Sequence, residues 1–154
     1  MCKKRYILFV LLSCTLLIQP HSQTADIDKG FINQFNKADS LFMGINGEYN
    51  DSLALSYFTA VAKGLKENKT HALMLFNCQE RIGILQQGLG NSTAEILQHF
   101  YKAIQIQKSY QLSDSITFRL YLSIGNVHYT NGLFDSSVFY YTRAENVIDQ
   151  YPNA

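Results

Sequence analysis

The sequence predicts an all-α chain of three stacked antiparallel helical hairpins behind an export leader. Three observations carry that expectation. From Asp26 onward apolar residues return at three- and four-residue steps, the period of a helix with one buried face, and no stretch alternates as a strand would. Turn glycines recur at Gly47, Gly90 and Gly132, spaced 43 and 42 residues apart. Ala60, Ala103 and Ala144 follow them after 13, 13 and 12 residues, each preceded by an aromatic at Tyr57/Phe58, Phe100 or Tyr141. Such self-similarity marks copies of one supersecondary unit, none of which can bury its apolar face alone.

Residues 1–25 have the parts of a signal peptide: the basic cluster Lys3, Lys4, Arg5, an apolar run over residues 6–18, and a polar stretch ending near Ala25. The run has thirteen residues, whereas a membrane-spanning helix needs about 20, so the expectation is cleavage and export to the periplasm or the exterior. Ser22 and Ala25 both satisfy the small-residue requirement at the cut. Leu11-Leu12-Ser13-Cys14 also resembles a bacterial lipobox, which would lipidate Cys14 and anchor the chain to an envelope membrane. The apolar stub over residues 15–18 speaks against it, since a lipidated cysteine is usually followed by a polar tether. With Cys2 and Cys14 in the leader, only Cys78 remains in the body, which excludes a disulfide framework.

The helical body, residues 26–151, divides into hairpins at about 28–66, 71–109 and 115–150. The first helix, residues 28–43, places Phe31, Phe35, Ala38 and Phe42 on one side, and the Gly44–Gly47 segment breaks it. The second starts at Asn50 or Asp51, either able to accept from free first-turn amides, and buries Ala54, Tyr57/Phe58, Val61 and Leu65. The third runs over residues 71–87 with Leu75, Cys78, Ile82, Leu85 and then Leu89 in one apolar row and stops at Gly88 and Gly90. Ser92-Thr93-Ala94-Glu95 has the spacing of a capping box and opens the fourth, whose face is Ile96, Phe100, Ala103 and Ile104 with Gln107 at its edge. The fifth can start at Ser113 or Ser115, and the sixth at Asp135, with Asp135 and Ser136 as candidate caps.

Residues 118–151 form the most complete unit. Tyr121, Ile124, Gly125, His128, Gly132, Phe134, Ser137, Tyr141 and Ala144 make two helical stripes about the Asn131-Gly132 turn. This resembles a tetratricopeptide repeat (TPR), a helix–turn–helix unit of about 34 residues. Tyr121 stands where the family has tryptophan, Ser137 where it has alanine, and the closing proline comes late, at Pro152. The middle copy shares the mid-helix glycine, Gly83 for Gly125, while the first copy has none. The resemblance implies a right-handed superhelix, a TPR-like solenoid, gripping a protein or peptide on its concave face. There the fifth helix would present Arg119, Asn126, Tyr129 and Thr130. A carboxylate clamp is not implied, because Leu122 and Glu80 occupy the places of its lysine.

Other chemistries find no support. Thirteen basic and twelve acidic residues nearly balance, and without the three leader cations the body carries ten against twelve, which offers no electrostatic footprint for nucleic acid. His71, His99 and His128 are too far apart for a helical metal pair, no HExxH or paired CxxC occurs, and Gly88-Leu89-Gly90 lacks the third glycine of a phosphate loop. The expected function is therefore non-catalytic binding of a protein or peptide, with no cofactor or metal. The alternative is a recruiting or sensory arm of a longer bacterial protein, since a signal peptide followed by TPR hairpins resembles the leaders of CHAT peptidases and sensor histidine kinases. Membrane attachment would come only through Cys14 or a segment beyond residue 154. Neither end of the stack shows a polar cap in the sequence, and the chain stops directly after a repeat, as a piece of a longer protein would.

Overall fold

The computed structural model describes residues 21–151, so Cys14, most of the expected leader and Pro152 lie outside the described residues. The fold is all-α: α1 (His21–Met43), α2 (Asp51–Gly64), α3 (Ala72–Gly88), α4 (Thr93–Tyr110), α5 (Phe118–Thr130) and α6 (Phe134–Gln150), with no strand among the described residues. The helices pair as α1/α2, α3/α4 and α5/α6; α2 packs closely on α3, and α4 meets α5 through a smaller contact. The first helix begins at His21 rather than at residue 28 and so reaches into the stretch read as leader.

Within each hairpin an aromatic from the second helix seats on the first helix where side-chain bulk is smallest. A methyl group built on Gly83 would lie 2.4 Å from Cε1 of Phe100, and one on Gly125 would lie 2.4 Å from Cε1 of Tyr141. In α1 the corresponding small residue is the fully buried Ala38. Phe58 packs edge-on to Phe35 and Phe42, with centroids 5.6 and 6.3 Å away, and those two rings bracket Ala38 along the helix. Phe58, Phe100 and Tyr141 are each the eighth residue of their helix. Ala54, Ile96 and Ser137 are the fourth, and Val61, Ala103 and Ala144 the eleventh; all six are buried.

That register corrects one sequence assignment. Ala60 is exposed, and Val61 holds the place of Ala103 and Ala144. The reason is turn length: α2 starts four residues after Gly47, α4 three after Gly90 and α6 two after Gly132, and the first turn carries two left-handed glycines, Gly44 and Gly47, around a short 3-10 turn at Ile45–Gly47. At the other two turns one left-handed glycine suffices. The amides of Gly90 and Asn91 donate to the carbonyls of Gln87 and Gln86, and those of Gly132 and Leu133 to Tyr129 and His128, the paired bonds that close a helix through a left-handed residue. Gln111, at φ 52°, does the same after α4 without a glycine.

The helix starts follow local chemistry. Asn50 Oδ1 accepts from the Leu53 amide at 2.9 Å, and Ser92 and Glu95 form the reciprocal capping box. Ser113 caps a 3-10 turn, Asp114–Thr117, that leads into α5. The last helix starts one residue early: Leu133 holds the N-cap position with no side-chain bond, and Asp135 and Ser136 sit in the first turn rather than capping it. Ile106 is buried in α4, whereas Ile104 is only half-buried, and Leu89, expected on the apolar row of α3, lies past the helix end and is exposed.

Aligning α1, α3 and α5 on Ala38, Gly83 and Gly125 also shows how the stack begins. The row that α3 buries, Cys78, Ile82 and Leu85, and the row that α5 buries, Leu120, Ile124 and Val127, are apolar. The same positions of α1 hold Asn33, Lys37 and Ser40, of which Asn33 and Lys37 are exposed. The first hairpin thus turns a polar face outward, a cap the sequence pattern had not revealed.

The seating of Phe100 on Gly83 gives a direct test. Gly83→Ala should destabilise by about 1–3 kcal/mol through overpacking against a buried ring. Gly30→Ala, at a helical site with nothing within 4 Å, should instead stabilise by about 0.4–1 kcal/mol. Urea denaturation of both variants checks this, and shifts of the same sign would refute the seating.

Candidate concave binding face

The first helices of the hairpins lie close enough for their inner side chains to touch. Arg81 on α3 reaches back to Asp39 on α1, Nε to Oδ1 at 3.3 Å, and its guanidinium lies 4.6 Å over the Phe42 ring. Arg119 on α5 reaches back to Glu80 on α3, Nη2 to Oε2 at 3.1 Å. Glu80 also lies 3.6 Å from Arg81. An alternating chain of charge, Asp39–Arg81–Glu80–Arg119, therefore crosses all three hairpins on one face.

Glu80 is the unusual member. Its side chain is fully buried, and while Oε2 takes both arginines, Oε1 is buried with no hydrogen-bond partner. Burial pushes its carboxyl above the usual carboxylate range, and the attraction of Arg119 and Arg81 offsets this only in part.

The four side chains expected from sequence sit on exposed positions of α5, and the structure gives each an internal partner. Arg119, 58% exposed, holds Glu80. Asn126 Oδ1 accepts from the Tyr141 hydroxyl at 2.7 Å, which leaves its amide donors. Tyr129 packs edge-on to Phe134, with centroids 5.6 Å apart. Thr130 Oγ1 donates to the Val127 carbonyl one turn back.

Sequence reading missed Asp39 and Arg81, and it weighed Glu80 only as a failed lysine. Two signals were present. Arg81 follows Asp39 by 42 residues and Arg119 follows Glu80 by 39, both near the repeat length, and Glu80 is the one acidic residue of its helix.

A shallow depression of about 410 Å³ between the second and third hairpins is lined by Tyr101, His128, Asp135, Ser136, Phe139 and Tyr140. In it His128 stacks on Tyr140 and sits 3.5 Å from the Tyr101 hydroxyl, while its Nδ1 is buried without a partner. Burial, with help from Tyr101, pushes the Tyr140 hydroxyl up to about 12. The buried Cys78 thiol is likewise pushed up to about 12, which keeps it protonated and unreactive. Among the described residues no group of three or more His, Cys, Asp or Glu side chains could hold a metal ion, and no helix is long and apolar enough to cross a membrane.

Comparison of the chain with protein-family models, with curated proteins and with solved structures finds no match.

The raised Glu80 carboxyl has a consequence for stability. A group whose folded-state pKa exceeds its unfolded value favours folding when protonated, so its contribution is present at low pH and is lost as pH rises through the folded value. Glu80→Gln keeps the neutral shape at every pH. The stability of Glu80→Gln relative to the native chain should therefore rise with pH, with a midpoint above 4.5, the ordinary value. Urea titrations of both proteins from pH 4 to pH 8 measure the difference; a flat difference, or one that falls with pH, would remove Glu80 from this role.

Proposed function

We propose that this chain is a non-catalytic scaffold of TPR-like hairpins that binds a protein or peptide segment along the inner face of α1, α3 and α5. The observation that supports this reading most is the side-by-side placement of three inner helix faces, linked by Asp39–Arg81 and Glu80–Arg119. Linked in this way, the three helices offer a ligand one preorganised surface, which lowers the entropy lost on binding. The half-exposed Arg119 guanidinium, the amide donors of Asn126 and the exposed ring of Tyr129 are the groups available to a peptide. Arginine and tyrosine are residue types that dominate binding energy where they are buried on contact. The basic cluster and apolar run at the N-terminus support delivery of this scaffold outside the cytoplasm.

Panning a random-peptide display library on the full chain tests the binding face. Selected peptides should lose affinity by about tenfold or more on Tyr129→Ala or Arg119→Ala. They should bind unchanged to Lys108→Ala, an exposed change on α4. Selected peptides that ignore both α5 variants would place the binding surface elsewhere.

A further inference from the structure

The depression between the second and third hairpins has walls that stacking does not require. Tyr101 on α4 forms one side, and Asp135, Ser136, Phe139 and Tyr140 in the first two turns of α6 form the other, with His128 reaching it from the end of α5. When the second helices are aligned from their first residues, Thr59 of α2 takes the place of Tyr101, and Gln98 and His99 of α4 take those of Phe139 and Tyr140. The groove between the first two hairpins therefore closes without these rings.

The polar groups of the depression are arranged but not saturated. His128 is 7% exposed, yet its Nδ1 has no partner, a cost that a phenyl ring stacked on Tyr140 would avoid. What the imidazole adds is Nε2, 3.5 Å from the Tyr101 hydroxyl, which lies 3.5 Å from the Tyr140 hydroxyl as well. An orphaned lone pair is tolerated in an interior better than an orphaned N–H, so Nδ1 carries no proton and Nε2 donates. Tyr101 Oη then accepts from both His128 and Tyr140, and its own hydrogen is left to point into the depression. One donor is thus set among the acceptor Asp135 and the hydroxyl of Ser136. Charge favours a neutral ligand, because Asp135 and Arg143 stand one turn before and one turn after Phe139, and the Arg143 guanidinium lies 4.7 Å over that ring. An anion meets Asp135 and a cation meets Arg143.

We infer that this depression is a binding site for a neutral saccharide ring, with an apolar C–H face on Phe139 and a hydroxyl edge on Asp135, Ser136 and Tyr101. Phe139 is 53% exposed, and the negative face of its ring suits the slightly positive C–H hydrogens of a sugar. Each sugar hydroxyl both donates and accepts, and the two oxygens of one carboxylate can take two neighbouring hydroxyls. An extended peptide fits less well. Its N–H groups face one side only at every second residue, about 7 Å apart, too far for one carboxylate to take two.

The test titrates the isotope-labelled full chain with the methyl glycosides of glucose, galactose, mannose and N-acetylglucosamine, followed by NMR. Methyl glucuronide, glucosamine and the tripeptide acetyl-Ala-Phe-Ala-amide are run beside them. At least one neutral glycoside should saturably shift the amide signals of Tyr101 and of residues 135–140. It should bind about tenfold or more weakly to Phe139→Ala and to Asp135→Asn. Both positions are exposed, so these variants should keep the native melting temperature. The tetrasaccharide of the same sugar separates two sources: tighter binding than the single ring assigns the site to a glycan chain, and equal binding assigns it to a free sugar. Four neutral glycosides that shift nothing at the limit of solubility would overturn the inference, as would binding indifferent to both variants. A charged analogue that binds more tightly than the neutral rings would also overturn it, and shifts from the tripeptide alone would give the depression to a peptide.

Discussion

The close approach of the two helices in each hairpin is the constraint on which the rest depends. An aromatic ring can sit flat on a helix backbone only where the facing residue has little or no side chain, and Gly83, Gly125 and Ala38 supply that. Burying a ring of this size stabilises by roughly 1.5–3 kcal/mol relative to leaving it exposed. The glycine costs about 0.5–1 kcal/mol of helix propensity, which the buried ring outweighs. The same seating fixes the rotation of both helices about their axes. Once Phe100 points at Gly83, Leu97 and Ile104 must turn toward the next hairpin, and Cys78, Ile82 and Leu85 toward the previous one. Packing within a hairpin therefore decides packing between hairpins.

Between hairpins two unlike interactions share the work. On the side of the second helices the contact is mainly apolar, with polar bonds such as Thr93 to Asn131 beside it, and tolerant of chemistry: Leu65 in one copy is Gln107 in the next, whose amide satisfies itself on the Leu112 carbonyl and Asp114 at 2.9 and 2.7 Å. On the inner face the contact is ionic and directional. A buried carboxylate with one orphan oxygen is a poor device for stability, since desolvation offsets much of the attraction to its arginines. Its value lies in register. Arg119 finds Glu80 only when α5 sits at one height against α3, whereas an apolar row would tolerate sliding by a turn.

The fold was legible in the sequence because its signals are local and repeat. Helical period, the turn glycines and the Ser92–Glu95 box each depend on a few neighbouring residues, and a second copy checks the first. The register of the first copy escaped because the helix starts lie four, three and two residues after Gly47, Gly90 and Gly132, so counting from the glycine placed Ala60 one residue from the true row at Val61. The polar cap escaped for a different reason. Asn33, Lys37 and Ser40 look like any solvated face until Gly83 and Gly125 are aligned with Ala38, and no glycine marks that residue. The ionic chain was the least legible part. Its partners lie about a repeat apart on different helices, and neither Glu80 nor Arg81 announces which face it occupies until α3 is seated on α4.

If the chain binds a peptide as proposed, the side chains already paired on this face shape what it accepts. Glu80 and Arg81 are buried or nearly so and already paired, so a ligand reaches them only by breaking the contacts that hold the hairpins in line. Arg119 differs, because more than half of it is open to solvent and its guanidinium has donors beyond the one that Glu80 uses. A ligand carboxylate could share that guanidinium without dismantling the stack. Asn126 stands two turns further along α5 with its carbonyl oxygen held by Tyr141, which fixes the direction of its amide donors before anything binds. Arg119 and Asn126 thus offer donors, about 10 Å apart along the helix at 1.5 Å per residue, to acceptors on an extended backbone or acidic side chains. An extended segment spans that distance with about three residues, so in the proposed binding mode one short stretch of peptide meets both while Tyr129 covers an apolar side chain beside it.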